Sequence, residues 1–198
     1  MKNGAMTPVS IILPMVLVFL FSCASTQARK DEPRDAKFYN NRGIAFAEKG
    51  QYERAISDFN QALEINPRYN KAYNNRGIVY RLTGQYNEAI SDFNKSIAIN
   101  ALDAEAYNNL AWLLATAGAQ GFRNGKKAVE LALNACRLSE WKNAEYLDTL
   151  AAAYARAGDF DNAVKWQEKV LDSSESADAS EFRRRLHFYR ERKPWPAD

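Results

Sequence analysis

The side chains that could do covalent or metal chemistry are few in this chain. Two cysteines, Cys23 and Cys136, and one histidine, His187, are the whole supply of thiol and imidazole in 198 residues. That is too little for a soft-metal site or a histidine-based catalytic centre. No phosphate-cradling glycine loop, paired metal-ligand spacing or nucleophile motif occurs. No catalytic residue, metal ligand or cofactor is therefore assigned, and an enzyme is not expected. What recurs instead is amide and cation chemistry. Asn40 and Asn41 return as Asn74 and Asn75 and again as Asn108 and Asn109, with Lys37, Lys71 and Arg81 near them. A carboxamide both donates and accepts, so a column of them can satisfy the backbone of an extended peptide, and the cations add a preference for carboxylates. The competing explanation is that helix starts tolerate asparagine and that duplication copied it. Arg42 and Arg76 recur in the same way, each followed 16 residues later by an aspartate, Asp58 and Asp92. Structural ion pairs between helices are expected there.

The elements that must position these residues are helices. The chain is 46% hydrophobic and 26% charged, and its six prolines and nine glycines fall mostly between apolar-periodic segments. This composition predicts one folded, all-α unit with short appendages. The net charge of +3 is too small to imply nucleic-acid binding. Residues 36–69 and 70–103 match one another at 18 of 34 positions without a gap. Such a period means a repeat array, in which each unit buries its apolar face only against its neighbours.

The pattern within the period resembles the tetratricopeptide repeat. Its aromatics are Tyr39 and Tyr73, Phe46 and Tyr80, Phe59 and Phe93. Its small residues are Gly43 and Gly77, Ala55 and Ala89, Ala62 and Ser96. The turn glycines Gly50 and Gly84 precede Tyr52 and Tyr86, and Pro67 ends the first repeat where the second has Ala101. The small residues mark close helix contacts, with the aromatics filling the space beside them. A third unit over 104–143 has a lengthened turn, and a fourth over 144–177 is divergent but legible. The segment from Arg123 to Trp195 resembles a variant repeat pair that ends in an arginine-rich helix and a Lys-Pro-aromatic segment. The resemblance implies an all-α, right-handed solenoid of four helix pairs with a C-terminal capping helix.

It also implies that the first helix of each pair lines a groove that holds a peptide or helix of a partner protein. The residues it places there are Lys37, Asn40, Asn41 and Ile44, then Lys71, Asn74, Asn75, Ile78 and Arg81, then Glu105, Asn108, Asn109 and Trp112. The set is similar to the carboxylate clamp of chaperone-binding relatives without reproducing it, because Glu105 stands where that clamp has a base. No small-molecule substrate is expected.

Residues 1–22 have the layout of a signal peptide. Lys2 precedes a 13-residue apolar run, Val9 to Phe21, which is interrupted by Pro14 and is too short to span a bilayer. Leu20-Phe21-Ser22-Cys23 resembles a lipobox, which implies cleavage before Cys23, acylation of that cysteine and an anchored lipoprotein. Ala24 and Ser25 after the cysteine imply sorting to the periplasmic face of the outer membrane. Residues 23–35 are a polar tether. With Cys23 acylated, Cys136 has no intramolecular partner and is expected to be a small buried hydrophobe.

The last segment, 178–198, is the most basic. Phe182, Leu186 and Tyr189 form the stripe that caps the solenoid, and Arg183, Arg184, Arg185, Arg190, Arg192 and Lys193 are expected on a solvated outer face. The alternative is that these cations bind anionic lipid or an acidic partner, which would make the chain a membrane-surface or cell-wall-associated structural lipoprotein.

Overall fold

The computed structural model describes residues 34–173 and 179–195. The signal segment 1–22, Cys23 and nearly all of the tether lie outside the described residues. From Asp35 onward the chain forms one contact unit, built of helices α1 (Ala36–Glu48), α2 (Tyr52–Ile65), α3 (Asn70–Leu82), α4 (Tyr86–Ile99), α5 (Ala104–Thr116), α6 (Gly125–Leu138), α7 (Ala144–Arg156), α8 (Phe160–Ser173) and α9 (Ala179–Arg190), with a 3-10 turn at Gln120–Phe122. Within the described residues there is no strand, and no helix is long and apolar enough to cross a membrane. The expected all-α solenoid of four helix pairs plus a cap is what forms.

Local chemistry sets the helix ends. Asp35 accepts a hydrogen bond from the Phe38 N–H at 2.8 Å, Asn124 from Lys127 at 3.0 Å, and Asn143 from Glu145 and Tyr146 at 2.9 and 3.2 Å. Each side chain satisfies first-turn donors that have no partner inside the helix. Gly50 and Gly84 adopt φ of 70° and 76°, the left-handed conformation that lets the following N–H return to the carbonyls of Phe46 and Tyr80. The turn between pairs survives the loss of Pro67 in the second repeat because asparagine forms it. Asn66 Oδ1 accepts from Arg68 N at 3.0 Å and Asn100 Oδ1 from Leu102 N at 3.2 Å.

Within each pair the small residues act as expected, with one refinement. A Cβ added at Gly43 would meet the Phe59 ring at 2.7 Å, and one at Gly77 would meet Phe93 at 2.8 Å. The ring therefore sits on the glycine rather than beside it. The odd-numbered helices α1, α3, α5 and α7 lie against their successors, whereas even-numbered helices have no comparable contact with their like. The stack therefore curves with the odd row inside. α5 and α7 pack together much more closely than α1 with α3 or α3 with α5.

The lengthened turn of the third repeat is a packed element. Phe122 lies against Tyr86, with ring centroids 5.2 Å apart, and Arg123 donates to the carbonyls of Ala117 and Gly118 at 2.7 and 3.0 Å. At its end, a Cβ on Gly125 would lie 2.5 Å from the Ala157 nitrogen, so only glycine lets α6 start against the end of α7. The carboxyl-terminal segment docks too. Trp195 is buried, packs edge to face on Phe188, and its carbonyl accepts from Arg156 at 3.1 Å.

Candidate functional site

The inner row carries the recurring amides, and the structure divides their work. Asn40 and Asn74 are buried and each is bonded to the next repeat. Asn75 Nδ2 donates to Asn40 Oδ1 at 2.9 Å, and Asn109 Nδ2 donates to Asn74 Oδ1 at 3.1 Å. Four of the six asparagines, Asn40, Asn74, Asn75 and Asn109, therefore form a rung system that holds the inner helices in register. Repetition at the helix start concealed this, because each bond runs between the fifth position of one repeat and the sixth of the next, a spacing of 35.

The ladder stops at the joint between the third and fourth repeats. By register Asn108 should accept from residue 149, but Thr149 stands there in place of the amide that the earlier repeats have. Asn108 Oδ1 is buried with no hydrogen-bond partner among the described residues.

The polar groove residues and Trp112 named from the sequence do not share one concavity. Lys37, Asn40, Asn41, Lys71, Asn74 and Asn75 border a depression of about 580 Å³ across α1, α3 and the start of α5, which also takes in Glu105 and Leu102. Leu102, in the turn before α5, is 76% exposed, an apolar contact that the sequence offered only as one hydrophobic residue in a turn. Asn108, Asn109 and Trp112 line a second cavity of about 380 Å³ between α5, α7 and α9. Arg81 lies apart, at the far end of α3, beside Tyr86 and Leu113.

Electrostatics differ between the two concavities. In the first, Lys37 and Lys71 share the walls with Glu105, whose carboxyl pKa is raised by burial and by Asp103, against the pull of Asn74 and Lys71. In the second, Asp148 is buried. It accepts from Gln167 at 2.9 Å and is ion-paired with Arg185. Burial raises its pKa to about 6, more than Arg185 and Gln167 lower it. The Arg185 guanidinium also lies over the rings of Trp112 and Trp195, at 4.9 and 5.1 Å from their centroids.

This corrects the expectation that the cap's arginines form a solvated outer face. Arg183 and Arg184 are exposed, but the Arg185 side chain is only 11% exposed and fastens α9 to the inner row. Arg190 pairs with Glu168 at 2.7 Å and Arg192 with Asp161 at 3.6 Å. His187 is an exposed residue 3.1 Å from Glu191.

The recurring ion pairs form as expected. Arg42 Nε and Nη2 reach Asp58 at 2.6 and 2.7 Å, and Arg76 reaches Asp92 at 2.7 and 2.8 Å. Cys136 is buried in the core, its Sγ 3.4 Å from the Tyr146 carbonyl, and burial pushes its thiol up to about 12. That places it far from a reactive thiolate.

Comparison with known proteins agrees with this architecture. Models of the tetratricopeptide repeat match residues 36–69 and 71–101, and a second model of that description matches 143–177, together just over half of the chain. No curated protein matches. Among solved structures, YrrB, described as a TPR protein with an unusual peptide-binding site, superposes with a TM-score of 0.61 at 24% identity over 84% of this chain and 84% of its own. MamA from Desulfovibrio magneticus RS-1 gives 0.61 at 26% identity over 75% and 81%. The pilF protein of Pseudomonas aeruginosa gives 0.65 at 18% identity over 79% and 69%.

Proposed function

Because the chain belongs to the tetratricopeptide-repeat family, we propose that it is a non-catalytic scaffold, anchored to the bacterial envelope through an acylated Cys23, that holds an extended or helical segment of a partner protein along the inner face of its first three repeats. The observation that carries this is the concavity of about 580 Å³ lined by Lys37, Asn41, Lys71 and Asn75 together with the exposed Leu102. Cations, amides and one apolar contact in a row suit a segment with acidic and apolar side chains, whose backbone the amides can meet. From YrrB the reading takes only the precedent that this fold can carry a peptide-binding site. Localisation at the periplasmic face of the outer membrane rests on the lipobox resemblance and on Ala24 and Ser25.

The test is capture from envelope extract followed by mass spectrometry, using the full chain, a Lys37→Glu/Asn41→Ala/Lys71→Glu variant and an Arg183→Ala/Arg184→Ala variant, after circular dichroism shows that all are folded. The groove variant is expected to lose the partner and the cap variant to keep it. The reverse result overturns the groove assignment in favour of the basic surface. On the anchor, mass spectrometry of the mature protein should find a diacylglycerol on Cys23; an unmodified amino terminus elsewhere sinks that part.

A further inference from the structure

Exposed apolar side chains are unevenly placed on this body. Among the described residues four large ones are exposed, and three of them stand at the edge where the even-numbered helices end and the odd-numbered ones begin: Ile65 (47%), Leu102 (76%) and Leu138 (37%). Their places repeat. Ile65, Ile99 and Leu138 are the last residues of α2, α4 and α6, and three residues further on, in each turn, stand Arg68, Leu102 and Trp141. Five of these six are apolar, where a turn ordinarily carries polar residues. Trp141 takes φ of 62° directly after Glu140 at 53°, a left-handed pair that non-glycine residues adopt only at a cost. Its half-buried indole stacks on that of Trp166, with ring centroids 5.1 Å apart. Exposed Arg68, Arg137 and Lys142 flank the row together with exposed Glu64 and Glu140, and Glu140 pairs with Lys142. The edge is therefore apolar with a rim of mixed charge.

Single exposed apolar residues need no explanation, but these share an edge with the point where the chain enters the fold. Asp35 caps the start of α1, and α1 starts at this same edge. Cys23 is thus joined to it by residues 23–34, which reach at most about 40 Å. The opposite edge lies about 20 Å further away, the length of a helix such as α1. We infer that the turn edge docks on the bilayer that holds the anchor, with Ile65, Leu138 and Trp141 entering the boundary between headgroups and acyl chains. The inference rests on the proposed acylation of Cys23. Leu102 also borders the groove and is left to the partner. An indole and two branched aliphatic side chains with cations beside them suit a lipid interface. The mixed charge of the rim means that anionic lipid is not required, in contrast to a contact made through the basic cap.

The test is fluorescence quenching of the acylated full chain in vesicles whose acyl chains are brominated, with an NBD label on one introduced cysteine at a time. The positions are Ile65→Cys, Leu138→Cys and, as the reference on the opposite edge, Leu82→Cys, which replaces the fourth exposed apolar residue, 51% exposed at the end of α3. Cys136 is buried and an acylated Cys23 has no thiol, so each variant carries one label. Quenching at 65 and 138 is expected to exceed that at 82 at least threefold, equally in phosphatidylcholine vesicles and in vesicles that also contain phosphatidylglycerol. Equal quenching at the three positions, no quenching at 65 and 138, or quenching that needs phosphatidylglycerol and disappears with Arg183→Ala/Arg184→Ala would overturn the inference. Co-sedimentation separates this failure from that of the anchor. A chain that stays in the supernatant removes the anchor and the docked edge together, whereas a chain that sediments without edge-specific quenching leaves the anchor standing and removes only the docked edge.

Discussion

The first two repeats and the last two are joined by different chemistry. Between repeats one, two and three the inner helices meet through carboxamides, and the buried apolar residues at that end form two small clusters, one around Ala62 and Ala72 and one around Phe59 and Val79. From Ala89 onward a single continuous core runs through Leu110, Leu147 and Val170 to Trp195, with α5 packed directly on α7. Apolar burial is non-directional and scales with area, whereas amide bonds fix register while adding little net stability. The carboxyl-terminal half is thus the stable block, and the amino-terminal half is a ruler kept in register and open along its inner face. A solenoid's stability is a sum of unit and neighbour contributions, so such a division is free to develop along one chain.

The strongest way to break the comparison is to cut the fastening of the block. Arg185→Ala leaves Asp148 buried without its counter-charge, which should cost about 3 to 5 kcal/mol and release α9. Thermal unfolding by circular dichroism would measure it. The loss should be smaller at acid pH. Asp148 has a folded-state pKa near 6, above its ordinary 3.8, so the native state binds its proton more tightly. The stability associated with that proton is present below about pH 4 and is lost as pH rises through 6. The wild-type melting temperature should accordingly fall between pH 4.5 and 7 by more than that of Asp148→Asn; parallel curves would refute the assignment. Glu105 shifts in the same direction, which is why the difference between the two proteins is the observable.

A smaller effect separates an end from an interior within the regular half. Arg42 and Arg76 make the same bidentate pair, but Arg42 is 44% exposed and Arg76 is 16% exposed. Arg76 also donates to Asn60 of the preceding repeat at 2.5 Å. Among the described residues no helix precedes that of Arg42. Arg76→Ala should cost about 1.5 to 3 kcal/mol, as for hydrogen bonds to charged groups, and Arg42→Ala about 1 kcal/mol or less. Equal losses in urea unfolding would mean that position in the array is irrelevant to this pair.

Much of this is legible in the sequence. The 34-residue period carried the helix pairs, the glycine turns and the Arg–Asp pairs, and the buried Cys136 was expected separately, as a cysteine without an intramolecular partner. Two features were not legible, for physical reasons. Whether Asn40 faces a ligand or a neighbouring helix depends on how closely successive inner helices approach, and a periodicity holds no distance. Arg185 lies among five other cations on the cap, and only the placement of Asp148, 37 residues earlier, selects it as the inward one. Aligned on the 34-residue frame, Asp148 occupies the place of Asn40, Asn74 and Asn108. The acid in an amide column was the available signal, hidden by the lengthened turn of the third repeat.

The smallest effect is the most discriminating. Asn74 and Asn108 hold equivalent places in consecutive repeats, yet Asn74 Oδ1 accepts from Asn109 while Asn108 Oδ1 has no donor among the described residues. Leucine keeps asparagine's branched shape of four side-chain heavy atoms, so each replacement mainly removes polarity. Asn74→Leu strands the Asn109 amide and should cost about 1 to 3 kcal/mol, the penalty for a buried group left unpaired. Asn108→Leu removes an acceptor that the fold does not use, and its cost should fall within about 0.5 kcal/mol of zero, like that of an ordinary surface change. Urea unfolding of the two variants side by side checks the pair. Comparable losses would show that the ladder continues into the fourth repeat and that the two halves are joined alike. A neutral Asn108→Leu would locate the change of chemistry at one joint, where Thr149 replaces the donor that the earlier repeats supply.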